Sequence, residues 1–344
     1  MRFEDVAIAA FGYELAPRVV ASAALEQRLA PAYQALRLPS GQIEALTGVR
    51  ERRFWEPGQR MADGAIRAGR KALARAGVSP KDVGLLIYGG VCRDHLEPAT
   101  ACAVADGLGL PGETEMYDVS NACLGVVNGM VQAAGALALG HIAAGLVVSC
   151  ESAREVIDAT VDRLCREPDL GTFMTSLATL TGGSGAVAVV LTKASRSEGR
   201  RRIVGGIARS DARHHRLCTW GPDTVMPRPD PPLLQTRAVE VLNNGVALGQ
   251  RAWQDFRREL GWATVDKVVC HQVGAANREA ILKAIEVPAE RDFSTFPFLG
   301  NIGTVSLPIT AAIAEERGFL QPGDRVGLLG IGSGLNCVML GVEW

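Results

Sequence analysis

The chain has 344 residues, 47% hydrophobic and 21% charged, with 36 basic against 37 acidic side chains and a formal net charge of −1. That balance is an ordinary globular one, long enough for two core-forming units or one large duplicated fold, and it gives no electrostatic reason to expect nucleic acid or an anionic membrane as partner. Met1-Arg2-Phe3-Glu4-Asp5 has no apolar signal core behind it, which predicts a cytoplasmic protein.

The eight cysteines (Cys92, Cys102, Cys123, Cys150, Cys165, Cys218, Cys270 and Cys337) form no CxxC pair, and no histidine stands at zinc-finger spacing. Most lie in apolar runs, where Cys acts as a small hydrophobe. The expectation is a reducing compartment, free thiols and no structural metal. The stretch nearest a membrane span, 132–148, is broken by His141 and three glycines. A buried helix followed by a buried strand suits it better than an integral membrane segment.

Short apolar runs alternate with longer amphipathic ones, the pattern of an α/β protein. Val6–Ala10 reads as a strand and Met61–Ala76 as a helix closed by Gly77. Val83–Tyr88 is a buried strand. Ala99–Leu108 is a helix introduced by Pro98. Glu115–Val119 reads as a strand, Cys123–Leu139 as a long helix of small residues, and Gly145–Cys150 and Gly185–Leu191 as strands. The pattern then restarts. Ile203–Arg209 is a strand, Thr236–Leu260 a long helix, Lys267–Cys270 a strand, and Ala275–Ile285 and Val305–Arg317 helices. Arg325–Gly330 and Leu335–Val342 are the closing strands.

Both halves read strand, helix, strand, helix, short strand, buried helix, two strands. Thr181-Gly182-Gly183-Ser184-Gly185 precedes the last strand of the first half, as Gly330-Ile331-Gly332-Ser333-Gly334 does in the second. The repeat implies a pseudo-symmetric fold, divided into 1–198 and 199–344, with a site between the halves. Segment 151–180 breaks the pattern and reads as an insertion over the substrate site or a subunit interface.

Asp118-Val119-Ser120-Asn121-Ala122-Cys123-Leu124-Gly125 carries the chemistry: a strand ends, a sharp turn follows, and Cys123 opens a helix. Unpaired N–H groups and the macrodipole at a helix start favour a thiolate, which predicts a lowered thiol pKa and a nucleophile. Val268-Val269-Cys270-His271-Gln272-Val273 puts His271 at the end of a buried strand, where α/β folds build sites. Phe298-Leu299-Gly300-Asn301-Ile302-Gly303 is a Gly-flanked Asn ahead of a helix. Each alone has an ordinary structural explanation: a buried thiol, a hydrogen-bonded histidine, a turn or cap. His95, His141, His214 and His215 are read as surface or loop residues.

Cys, His and Asn in this order, on Asn-Ala-Cys-Leu, His-Gln-Val and Gly-Asn-Ile-Gly turns, resemble the ketoacyl synthase III branch of the thiolase superfamily. Thr47-Gly48-Val49-Arg50-Glu51-Arg52-Arg53 resembles that branch's early Thr-Gly-Ile-x-x-Arg element, and the likeness runs through the Gly-rich hairpin Gly330–Gly334. It implies a duplicated five-layer αβαβα thiolase fold and a homodimer. It gives Cys123 the first acyl group as a thioester, and gives His271 and Asn301 the second thioester's carbonyl and enolate. The Cys123 and Ser333 backbone N–H groups are the candidate oxyanion hole.

Arg93-Asp94-His95-Leu96-Glu97-Pro98-Ala99-Thr100 looks like the loop of OleA-type enzymes, which condense two fatty acyl-CoA molecules head to head at the start of olefin and β-lactone biosynthesis. In them a Glu of this loop reaches into the partner's site, a role the resemblance passes to Glu97. A malonyl extender makes its carbanion by losing carbon dioxide, whereas a plain acyl-CoA must lose an α-proton to a base. By itself Glu97 reads as a first-turn helix carboxylate. The Trp that holds the CoA adenine in ketoacyl synthase III enzymes is not evident, and Ile43 lies in that area, so CoA and carrier-protein thioesters both stay open.

The resemblance therefore implies non-decarboxylative Claisen condensation of two long-chain acyl-CoAs, with CoA thioesters as substrates and no cofactor. Downstream enzymes of the same pathway are candidate partners. The alternatives are decarboxylative condensation with a malonyl thioester, as in a 3-oxoacyl-[acyl-carrier-protein] synthase III, and a catalytically silent thiolase-fold binding subunit.

Overall fold

A computed structural model describes residues 1–197, 201–221 and 234–344; the boundary expected between 198 and 199 lies outside them. The first half opens with β1 (Val6–Leu15) and β2 (Arg18–Ala21). Three short helices follow, α1 (Ser22–Arg28), α2 (Ala30–Leu36) and α3 (Gln42–Thr47), then β3 (Glu51–Phe54). Next come α4 (Met61–Ala76), β4 (Val83–Gly89), α5 (Thr100–Leu108), β5 (Glu115–Val119), α6 (Gly125–Ala138) and β6 (Ala144–Glu151). Helices α7 (Arg154–Arg166) and α8 (Leu170–Leu180) precede β7 (Gly185–Lys193).

The second half holds β8 (Arg202–Ser210), the two-residue pair β9 (Cys218–Thr219) and β10 (Gln235–Thr236), and α9 (Ala238–Leu260). It continues with β11 (Lys267–Cys270), α10 (Ala275–Ala284), α11 (Phe296–Leu299), α12 (Ser306–Glu316), β12 (Arg325–Gly332) and β13 (Asn336–Glu343).

Nine strands are bonded in the order β11-β12-β13-β8-β1-β7-β6-β4-β5. Within the strands the two halves of this sheet meet at Ala7 opposite Arg202, and an antiparallel bridge between Arg2 and Gly205 joins them again just before β1. Side-chain alternation then builds five layers, because both faces of each half-sheet are apolar. In β7, Val187, Val189 and Leu191 face inward with Leu85 and Ile87 of β4 and Val147 of β6. Val326 and Leu328 of β12 and Val338, Leu340 and Val342 of β13 face the same core from the other half. Helices α6 and α12 fill the space between, and both are buried along most of their length. The outer face of the first half-sheet (Leu86, Tyr88, Leu146, Val148) is covered by α4 and α5. Trp253, Phe256 and Leu282, on α9 and α10, cover Val268, Leu329 and Met339 on the other. Each fully buried Leu or Val of these layers contributes about 1.5–3 kcal/mol.

The sequence departs from symmetry in two places. Where the second half should have its short strand there is only one bridge, Val268 beside Asp292. Asp292 is occupied otherwise: its carboxylate accepts from the Cys270 N–H and holds Arg278 at 2.6 Å. The insertion expected over 151–180 begins inside β6, since Glu151 ends that strand, and continues as α7 and α8. Ile157, Val161, Leu164 and Phe173 pack with Leu25, Leu29 and Tyr33 of α1 and α2 into a separate small core. Ile43 is fully buried in that core, so it presents no surface to an adenine ring. Among the described residues, no helix is long and apolar enough to cross a membrane.

Candidate active site

Cys123 sits two residues before α6 rather than opening it. Its turn is held on three sides. Leu124 N–H donates to the Asn121 carbonyl at 2.9 Å, and Ala122 takes a left-handed φ of 45°. The Asn121 side chain donates to Asn128 Oδ1 at 2.8 Å and accepts from Asn336 Nδ2 at 3.1 Å. A close crossing seats the start of α6 on β4: a Cβ on Gly89 would lie 2.5 Å from the Gly125 carbonyl carbon, so only glycine fits there.

The expected lowering of the Cys123 thiol is reversed. Burial pushes it up to about 12, and Cys218 and Glu151 push the same way. The helix start does little against this, because its Val126 N–H is taken by the buried Thr304 hydroxyl at 2.8 Å.

His271 directly follows β11, its N–H donating to the Leu329 carbonyl at 2.9 Å. The neighbouring Gln272 is buried and latches this turn to the segment before Asn301: its Oε1 accepts from Thr295 N at 2.8 Å and Phe296 N at 3.2 Å. His271 Nδ1 lies 2.8 Å from Ser306 Oγ at the start of α12, leaving Nε2 for the cavity. Burial drops the imidazole to about 4, so it is neutral at ordinary pH. Asn301 is clamped between turns: its N–H donates to the Thr181 carbonyl at 2.9 Å, its carbonyl accepts from Gly183 N–H at 3.0 Å, and its Oδ1 accepts from Gly303 N–H at 3.1 Å. The side-chain NH₂ is left without a hydrogen-bond partner among the described residues.

Cys123, His271, Asn301 and Ser333 all line one cavity of about 540 Å³, a volume usual for small-molecule sites. The Ser333 turn adjoins the Cys123 backbone, since a Cβ on Gly332 would lie 3.4 Å from Cys123 N. Much of the wall is apolar: Val156 and Ala178 from the insertion, Val241, Leu242 and Val246 from α9, and Ile281 from α10. Arg52, from the early Thr-Gly element, lies under this site rather than in it. Fully buried, it donates to Ser22 Oγ at 3.0 Å and the Leu180 carbonyl at 3.0 Å.

Glu97 does not line this cavity. It is exposed at the tip of the loop before α5, beside Leu96, which is 76% exposed. The carboxylate that this chain places in its own cavity is Glu151, which the sequence reading passed over. Ser306, Asn121 and Asn336 were passed over as well. Glu151 closes an ordinary apolar strand, and Ser306 opens an apolar helix, so neither stands in a motif. Asn121 lay in full view beside Cys123, where the short Asn-Ala-Cys turn was the available signal.

Comparison with known proteins gives this geometry a family. Residues 59–164 match the thiolase N-terminal domain, and residues 257–344 match the C-terminal domain of 3-oxoacyl-[acyl-carrier-protein] synthase III. An acyl-CoA:acyl-CoA alkyltransferase of Shewanella oneidensis is 50% identical over the full length of both chains. Its counterpart in Xanthomonas campestris is 36% identical, again covering both chains completely. The crystal structure of a cysteine-to-alanine variant of Xanthomonas campestris OleA superposes with a TM-score of 0.94 at 35% identity, covering 100% of this chain and 98% of that one. A cysteine-to-serine variant of the same OleA, solved with bound lauric acid and lauroyl-CoA, has a TM-score of 0.92 at 36% identity, with 99% of this chain and 100% of that one covered. With its five layers, its apolar cavity and its cysteine, histidine and asparagine turns, the chain belongs to the OleA family of thiolase-fold acyl-CoA:acyl-CoA alkyltransferases.

Proposed function

We propose that the enzyme joins two long-chain acyl-CoAs by non-decarboxylative Claisen condensation to a 2-alkyl-3-ketoacyl product. The observation that carries the reading is one apolar cavity lined by Cys123, His271 and Asn301 together, joined to 50% identity over the full length with a named acyl-CoA:acyl-CoA alkyltransferase. The Cys123 thiol attacks the first thioester, CoA leaves, and an acyl-Cys123 thioester remains. Backbone N–H groups of Cys123 and Ser333 receive the oxyanion. The second acyl-CoA places its carbonyl between His271 Nε2 and the Asn301 NH₂. Transfer of an α-proton to the base gives the enolate, whose carbanion attacks acyl-Cys123; the carbon–sulfur bond breaks, and the released Cys123 thiolate takes up a proton.

The base in this scheme is Glu97 of the partner subunit. Two features support it. Glu97 projects from the surface on an ordered loop, and β5 beside it is the unpaired edge of the nine-stranded sheet. An exposed edge strand next to an exposed leucine is a ready surface for a second copy. The eight free cysteines suit a reducing compartment.

The test is Glu97→Ala with myristoyl-CoA alone, followed by intact-protein and product mass spectrometry. A lost general base costs ~10²–10⁴-fold, so condensation falls by about that factor while an acyl-Cys123 adduct accumulates. Condensation at the wild-type rate would mean that Glu97 is only a helix-start residue and would favour the malonyl-dependent reaction. Failure to acylate would mean that Glu97 shapes the first substrate's channel.

A further inference from the structure

The loop 91–99 that carries Glu97 is held by three carboxylates, each accepting from or beside consecutive backbone N–H groups. At its far end, Asp118 accepts from Thr100 N and Ala101 N, both at 2.9 Å. In the middle, Asp94 accepts from Met61 N at 2.6 Å and Ala62 N at 3.0 Å, pinning the loop to the start of α4. At its root, Glu151 accepts from Val91 N at 2.9 Å and Cys92 N at 3.2 Å. The root is further tied by the Tyr88 hydroxyl, 2.6 Å from the Cys92 carbonyl.

The first two acidic groups cap helices, an ordinary structural duty. Glu151 caps nothing. It is 5% exposed, lines the reaction cavity, and makes no ion pair with Lys or Arg among the described residues. Burying a carboxylate is costly unless it is paired or hydrogen-bonded; here the hydrogen bonds of the loop root compensate it most, with a smaller pull from the charge of Arg93 in the same loop. The same side chain also packs on the asparagine turn: a Cβ on Gly303 would lie 3.3 Å from Glu151 Cγ, and Gly303 is the residue whose N–H holds Asn301 Oδ1.

We infer that Glu151 is a positioning residue, which sets the reach of the Glu97 arm into the partner's site. The inference rests on the reading of Glu97 as the base. Glu151→Asp keeps the charge but withdraws it from one or both N–H groups. Glu151→Gln keeps the length but turns an NH₂ toward one of them. Acylation of Cys123 needs no arm, so it proceeds in both variants, whereas condensation falls ~10–100-fold, the usual consequence of about an ångström of misplacement. Hydrogen exchange over 91–99 quickens.

The decisive measurement combines each variant with Glu97→Ala. If Glu151 acts through Glu97, the double variant condenses no more slowly than Glu97→Ala alone, because the effects of residues that act through one another are not additive. Losses that add in full, unchanged exchange over 91–99, or unchanged condensation in the folded single variants would overturn the inference. Should Glu151→Asp not fold, Glu151→Gln carries the same comparison. Glu97→Ala condensing at the wild-type rate would instead sink the reading of Glu97, and this inference with it.

Discussion

Cys123 and His271 face the same cavity, and burial drives both toward their uncharged forms: the thiol up to about 12, the imidazole down to about 4. The resting pair is therefore a thiol and a neutral imidazole. In the proposed reaction the thiol gives up its proton in step with attack rather than beforehand. Iodoacetamide alkylation of Cys123 should accordingly be slow at pH 7 and rise ~10-fold per pH unit through the mildly alkaline range. Glu151→Gln removes a charge that opposes the thiolate, so its alkylation profile moves to lower pH; a profile that stays in place would contradict the assigned coupling. Cys123→Ser should yield neither acyl-enzyme nor product. His271 also links stability to pH. The unfolded chain binds a proton at His271 below ~6.5, and the folded chain only near 4, so stability is complete above ~6.5 and falls by about 3 kcal/mol as pH drops through that window. Thermal melting between pH 7 and 4 should show a shallower decline in His271→Asn.

Helix α9 shows how an element shapes selectivity. Gly245 and Gly249, four residues apart and so on one face, both line the cavity. A Cβ on Gly249 would come within 2.7 Å of Ile281 Cδ1, and that methyl can yield only by moving. Gly249→Ala should stabilise the helix by about 0.5–1 kcal/mol. It should also narrow the cavity, so that products from mixed acyl-CoAs shift to shorter chains; an unchanged product distribution would place the acyl chains elsewhere.

Elements with strong local signals were legible in the sequence. Helix α4 is closed by Gly77 in the left-handed conformation, and β5 and β11 match their expected bounds. The small lobe of 22–47 was not legible, because its helices have six or seven residues and show little periodicity before they meet α7 and α8. The order of the cysteine, histidine and asparagine turns was readable. The charge state of the thiol was not, because it depends on burial by residues far along the chain.

At the scale of the whole molecule, the two Gly-rich turns are exchanged. Thr181 and Gly183, from the first half, clamp Asn301 of the second. Gly332 and Asn336, from the second half, seat the Cys123 turn of the first. Neither half completes its own chemistry. Sedimentation should show a dimer at micromolar concentration, and an active monomer would remove the cross-subunit role of Glu97. On the proposed role of Glu97, that sharing extends past the single chain, and its consequence is genetic. An allele with a ruined arm harms only the neighbour's site, and an allele without the cysteine harms only its own. Co-expressed Glu97→Ala and Cys123→Ser chains, each inactive alone, should complement one another. Random pairing leaves about one quarter of all sites with an intact cysteine facing an intact arm in a two-fold dimer. Two loss-of-function alleles in one cell would then restore the trait that neither supports by itself.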